Sequence, residues 1–247
     1  MNSKALLITG SSRGIGAATA VLAAARGWDV AVNYLNNRAA AEDVVNRAKS
    51  FGIVAKAIQG DIGSSNDVSH LFKEVDRVFG RLDGLVNNAS LIPSKKSLLE
   101  TSVDEVSQII QTNLIGSISC LKEAASRMST SRGGKGGSIV NVSSEAGKFG
   151  GDKITAYASS KAGINAATIG LARELAPEGI RINVVSPGII DTESNSSKNP
   201  NEEASRLSSL PMGRMGTTKE VAAAILWLLS DDATYVSGAI LPITGAR

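Results

Sequence analysis

The chain has 247 residues, a length that suits one domain, and 43% hydrophobic against 20% charged residues excludes disorder as its main state. Lys and Arg number 26 and Asp and Glu 23, a formal charge of +3, and the densest basic stretch, Arg132 to Lys135, is diluted by glycine, so no nucleic-acid patch is expected. A lone Cys120 cannot close an intrachain disulfide, and the longest wholly apolar run, from Val221 to Leu229, is too short to span a bilayer. A strand-like run begins almost at Met1, where a signal peptide would lie, so the expected location is the cytoplasm, with no membrane partner.

Along the chain, short β-branched runs alternate with helical patterns. Strands are predicted at residues 5–9, 29–33, 54–59, 84–87, 138–143, 181–185 and 239–243. Helices are predicted from residue 14 to about 26 and at 39–51, 65–79, 103–128, 156–175 and 219–229. Such alternation predicts an α/β fold: a single-domain, Rossmann-type doubly wound parallel sheet of about seven strands with helices on both faces. No composition break divides residues 1–247 into two domains. Residues 188–215 hold Asn, Ser, Pro and Gly around a short helical pattern at 202–210, and read as a lid over a substrate.

The first chemical signal lies between the first strand and the first helix, in Thr9-Gly10-Ser11-Ser12-Arg13-Gly14-Ile15-Gly16. Gly10 permits a tight turn, while Gly14 and Gly16 let backbone amides approach a diphosphate at a helix N-terminus. The second strand reads Asp29-Val30-Ala31-Val32-Asn33-Tyr34. Tyr34 stands where an acid would grip the ribose of NAD, and Asn36, Asn37 and Arg38 follow. Arg13 and Arg38 suit a 2′-phosphate, because a guanidinium donates two parallel hydrogen bonds.

The sharpest signal is Tyr157-Ala158-Ser159-Ser160-Lys161, with Ser144 thirteen residues before the tyrosine. Tyr157 and Lys161 share one helix face, and Ser144 ends a strand whose carboxyl edge opens on the crevice of an α/β sheet. Reducing a ketone needs hydride on carbon and a proton on oxygen. A free phenol titrates near ~10 and is a sluggish acid at neutral pH. An ammonium about 4 Å away contributes roughly 4 kcal/mol at an effective dielectric near 20, enough to lower the phenol by up to ~3 units before desolvation. A Tyr-x3-Lys pair alone is common by chance; the Ser144 offset, the glycine loop and the strand context give it weight.

Together these motifs resemble the short-chain dehydrogenase/reductase family, over nearly the whole chain, through its T-G-x3-G-x-G loop and its Ser–Tyr–Lys set. Glucose 1-dehydrogenase-like and 3-oxoacyl-carrier-protein reductase-like members are the most similar in pattern. The resemblance implies that Tyr157 is the general acid/base, Lys161 its modulator and ribose ligand, Ser144 the orienting donor, and Asn113 the fourth catalytic member, holding a water that leads to Lys161. It implies a dinucleotide site of Gly10, Ser12, Arg13, Gly14, Ile15 and Gly16, then Tyr34, Asn36 and Arg38, with Tyr157 and Lys161 at the ribose. Asp61 is implied to hold the adenine beside Ile62, and Asn88 and Ala89 to flank the adenine ribose. Pro187, Gly188, Ile190 and Thr192 are implied to fix the carboxamide. Members of this pattern prefer NADP(H), transfer the pro-S hydride, and assemble as homotetramers through the helices at 103–128 and 156–175. Two residues depart from the family pattern. Ser90 replaces a glycine, which costs strain if the position needs positive φ, and Thr244 replaces an aspartate.

The expected activity is thus an NADP(H)-dependent reductase acting on a small carbonyl or alcohol. The alternatives are an NADP-binding sensor or interaction protein on the same scaffold, and an NAD-preferring alcohol dehydrogenase. His70 has no Cys or carboxylate cluster at ligand spacing, so no metal is expected.

Overall fold

The structure, a computed structural model, describes residues 3–192, 207–208 and 210–247. Its centre is a parallel sheet of seven strands: β1 (Ala5–Ile8), β2 (Asp29–Tyr34), β3 (Ala55–Gln59), β4 (Gly84–Asn87), β5 (Gly137–Val142), β6 (Ile180–Pro187) and β9 (Ile240–Ile243). They lie in the order β3-β2-β1-β4-β5-β6-β9. The chain therefore starts mid-sheet, winds outward to β3, and returns to place β4 on the other side of β1. At that reversal the loops leaving β1 and β4 diverge, and a crevice opens at the carboxyl ends of the strands.

Both faces are covered, so the strands are apolar on both sides. Leu6 and Ile8 point into a core shared with α1 (Gly14–Ala25), α2 (Arg38–Lys49) and α8 (Thr218–Leu229). Leu7 points the other way, into a core shared with α3 (Ser65–Phe79), α5 (Ser117–Met128) and α7 (Thr155–Leu175). Helix α3 shows how local sequence sets these elements. The Ser64 side chain accepts from the Asp67 amide, Gly80 closes the helix at φ 65°, and Val68, Leu71, Phe72 and Val75 form its buried stripe.

Three features depart from the sequence reading. The helix expected at 103–128 is two helices, α4 (Val103–Ile110) and α5, joined by a π-helical turn over Gln111–Gly116. Side-chain bonds of Asn113 and the close approach of Gly116 to the carbonyl of Ile62 account for the wider winding; a Cβ at Gly116 would stand 2.4 Å from that oxygen. A short helix, α6 (Ala146–Phe149), follows Ser144. Two-residue strands β7 (Ile190–Asp191) and β8 (Gly216–Thr217) pair in parallel and tie together the ends of the segment read as a lid. Most of that segment, with the helix expected at 202–210, lies outside the described residues.

Candidate active site

A groove of about 520 Å³ runs along the carboxyl edge of the sheet. Its floor at one end is the β1–α1 loop. Gly10 adopts φ +59°, and a Cβ there would stand 2.7 Å from the Cα of Ala89, so only glycine fits. Neighbouring strands brace this loop. The Asn88 side-chain amide donates to the carbonyls of Thr9 and Gly10, both at 2.9 Å. Thr9 Oγ1 accepts from the amides of Asn88 and Ala89. Asn33 Oδ1 accepts from the Gly10 amide at 3.0 Å, and its Nδ2 donates to the Gly60 carbonyl at 3.0 Å.

Whether this end fits a dinucleotide can be judged from the loop itself. Helix α1 starts without a side-chain cap and without an acid in its first turn. Gly14, at φ +59°, has nothing nearer to its missing Cβ than Thr192 Cγ2 at 3.9 Å. Uncapped first-turn amides under open space favour an anion, so the loop fits a diphosphate. Asp61 and Ile62 form the wall beyond it, with Asp61 Oδ1 accepting from the Gly63 amide at 2.8 Å.

The groove gathers most of the residues singled out above: Gly10, Ser12, Arg13, Gly14, Ile15, Asn36, Asp61, Ile62, Asn88, Ala89, Ser144, Tyr157, Lys161, Pro187, Gly188, Ile190 and Thr192. Four do not line it. Gly16 packs beneath the loop, where a Cβ would stand 2.6 Å from Asn88 Nδ2. Tyr34, expected beside the ribose, is 6% exposed and points into the core beneath α1 and α2; Leu35, Asn36 and Asn37 form the wall in its place. Arg38 turns outward, its side chain 78% exposed and 3.9 Å from Glu42. Asn113 is buried behind the wall. Asn33, Leu91, Ile92, Thr112 and Ser143 line the groove without having been singled out. Of these, Asn33 left a signal, a polar residue closing the apolar run Val30-Ala31-Val32.

At the other end, β5 delivers Ser144 and α7 delivers Tyr157 and Lys161. Ser144 and Tyr157 line the groove together, and Ser144 Oγ accepts from the Ala146 amide at 3.2 Å. Lys161 Nζ donates to the Val142 carbonyl at 2.9 Å and lies 5.6 Å from the centre of the Tyr157 ring. Ser143 Oγ donates to the Lys161 carbonyl and fixes α7 against β5.

The titration of this pair differs from the expectation. Burial pushes the Tyr157 phenol up, only partly offset by the nearby Ser144 hydroxyl, and pushes the Lys161 amine down to about 8. Both groups share one dry pocket, and desolvation disfavours the phenolate and the ammonium alike. Asn113 is held by bonds of its own. Its amide bonds go to Leu91, accepting from the amide at 2.7 Å and donating to the carbonyl at 2.9 Å, and to Ser160 Oγ at 3.3 Å. It clamps the chain leaving β4 against α7.

Ser90 escapes the feared strain, since its backbone does not enter the left-handed region. Thr244 packs on Gly188, whose amide donates to the Ile243 carbonyl at 3.0 Å. Among the described residues, no three His, Cys, Asp or Glu gather to hold a metal, and no helix is long and apolar enough to cross a membrane.

The chain belongs to the short-chain dehydrogenase/reductase family. Residues 10–245 match the family model described as enoyl-(acyl carrier protein) reductase. The chain is 42% identical, over 98% of each sequence, to an uncharacterized oxidoreductase, YgfF, of Escherichia coli K12. It is 36% identical to the 3-oxoacyl-[acyl-carrier-protein] reductase FabG of Staphylococcus aureus, over 98% of this chain and 97% of that one. It is also 36% identical to the L-rhamnose 1-dehydrogenase (NAD(P)(+)) of Sphingomonas sp. SKA58, over 99% of this chain and 96% of that one. It is therefore a dehydrogenase/reductase acting on CH–OH or C=O groups.

Proposed function

We propose that this protein is an NADP(H)-dependent carbonyl reductase, interconverting a small ketone or aldehyde with its alcohol. The observation that carries the reading is the Ser144–Tyr157–Lys161 set at the mouth of a groove whose far end fits a diphosphate. Gly14, Ile15 and Ser12 would cradle the dinucleotide, with Asp61, Asn88 and Ala89 along the adenosine and Ile190, Thr192 and Lys161 toward the nicotinamide. When bound, the nicotinamide supplies or accepts the hydride.

The chain's own residues handle the proton. Ser144 donates to the carbonyl oxygen and orients it. Tyr157 Oη gives its proton to that oxygen, or takes it back in the reverse direction. With its pKa near 8, Lys161 is about nine-tenths charged at pH 7. An ammonium near the ring favours the phenolate, which opposes the cost of burial. Asn113 positions α7 through Ser160 and the wall through Leu91.

Preference for NADP(H) is supported by the absence of an acid in the wall after β2 and by Arg13 beside it. Catalytic efficiency with NADPH is expected to exceed that with NADH by about tenfold or more, and Arg13→Ala to remove most of the difference, a loss of roughly 1.4 kcal/mol. Equal or better efficiency with NADH would reverse the assignment to an NAD-preferring dehydrogenase.

The test of the activity is NADPH oxidation followed by absorbance against ketones, diketones, sugars and acyl thioesters. Turnover of one class is expected. Tight dinucleotide binding with no turnover on the panel would move the protein to the sensor reading.

The assembly we infer is a homotetramer in the cytoplasm. Its support is an exposed stripe of small residues on α7, Ala162, Ala166 and Gly170, beside exposed Ile115, Ile118 and Ile169.

A further inference from the structure

Next to the groove lies a second cavity, of about 390 Å³, whose lining contains none of Ser144, Tyr157 and Lys161. It sits between residues 91–101, helix α4 and the start of α7. Leu91 and Ile92 are its common wall with the groove; Ser144, Tyr157 and Lys161 face only the groove. Val106, Ile109, Ile154 and Ala156 give it further apolar wall, with Ser94, Thr101, Gln108, Thr155 and Ser159 between them. Its volume falls in the range of small-molecule sites.

Three charged side chains line this cavity. Lys96 and Glu105 pair at 3.0 Å and neutralise each other. Lys153 forms no ion pair among the described residues and stands exposed at the margin. Its backbone adopts φ +60°, a left-handed conformation that is unfavourable for a residue with a side chain. The Lys96 amide holds it there by donating to the Lys153 carbonyl at 2.9 Å. The fold thus maintains an unfavourable backbone conformation that sets one unpaired cation at the edge of an apolar hollow. An apolar body with a single anionic end complements both features.

We propose that this cavity is a binding site for a small apolar monocarboxylate, distinct from the dinucleotide groove, with Lys153 pairing the carboxylate. The occupant bears on the wall at Leu91, whose amide and carbonyl are both held by Asn113.

The test is calorimetric titration of the full chain with octanoate and with 1-octanol, with and without saturating NADPH. Octanoate is expected to bind about tenfold or more tightly than octanol, with NADPH present or absent. Lys153→Glu should erase that difference. Val106→Trp, which fills the hollow, should abolish binding of both probes while leaving dinucleotide affinity and the circular dichroism spectrum unchanged. Displacement of octanoate by NADPH, or binding that survives Val106→Trp, places the probe elsewhere and overturns the proposal. So does a wild-type chain that binds neither probe; if Val106→Trp then lowers the assembly's mass by light scattering, a second copy of the chain covers the hollow.

Discussion

Replacing Tyr157 by Phe is expected to lower turnover by about 10²–10⁴-fold, the range of a lost general acid/base, while dinucleotide affinity changes by no more than about twofold. The substitution removes one oxygen and keeps the ring that packs near Lys161. Ser144 Oγ accepts from the Ala146 amide, a bond the substitution does not touch, so its position is kept. Steady-state kinetics and a fluorescence titration of NADPH separate the two effects. Turnover within a few-fold of the wild type would show that another group delivers the proton. The raised phenol pKa adds a pH signature. Reduction, which needs the protonated phenol, should hold its rate toward alkaline pH longer than it would with a phenol of ordinary acidity. Oxidation, which needs the phenolate, should continue to gain rate in the same direction.

The second large effect is on stability and comes from Lys161. Burial lowers its amine to about 8 from 10.5. Between those values the unfolded chain holds a proton that the folded chain has released, so stability rises with pH across the window. Below pH 8 both states are protonated and the full cost of burying the charge is borne; above 10.5 neither is, and the cost is gone. The span corresponds to about 3 kcal/mol. Lys161→Met removes the titration. Wild type and variant, unfolded in urea at pH 7 and again near pH 10.5, are expected to differ by that amount between the two conditions, the wild type gaining. A difference independent of pH would mean that the amine keeps an ordinary affinity for protons in the fold. Activity of the variant should fall as well, because an apolar side chain can neither stabilise the phenolate nor donate to the Val142 carbonyl.

Much of this architecture is legible in the residue order, for a physical reason. Strands buried on both faces must be nearly continuous apolar runs, and crossover helices must be amphipathic, so the period changes wherever the chain changes element. All seven sheet strands fall within a residue or two of their predicted bounds. The last residues of β6 escaped because Ser186 and Pro187 become strand only by pairing with Pro242 and Ile243 of β9, far along the chain.

The site was less completely legible, and Tyr34 is instructive. It shares parity with Val30 and Val32, and all three point into one core. Alternation alone placed its side chain away from the groove and Asn33 on the other face. The expectation for Tyr34 followed position in a motif where pleat direction should have decided. Asn113 is the harder case. An amide inside a long helix can open its backbone ladder, as the π turn does here, but nothing local says that it bonds a backbone 22 residues earlier. The titration of Tyr157 and Lys161 was misjudged because spacing reveals proximity but not the dryness around it.

The π turn at Gln111–Gly116 has a consequence for how this scaffold tolerates change. Each α-helical residue advances about 100° around its axis, and a turn closed by i→i+5 bonds spreads one revolution over roughly one residue more, so the stretch carries an extra residue without rotating α4 against α5. Deleting that residue would let the two helices join in uniform winding with their buried faces kept, while Asn113 would leave Leu91. The surplus residue therefore serves the clamp and not the packing of the helices: its removal would be absorbed by the core and felt at the wall of the groove.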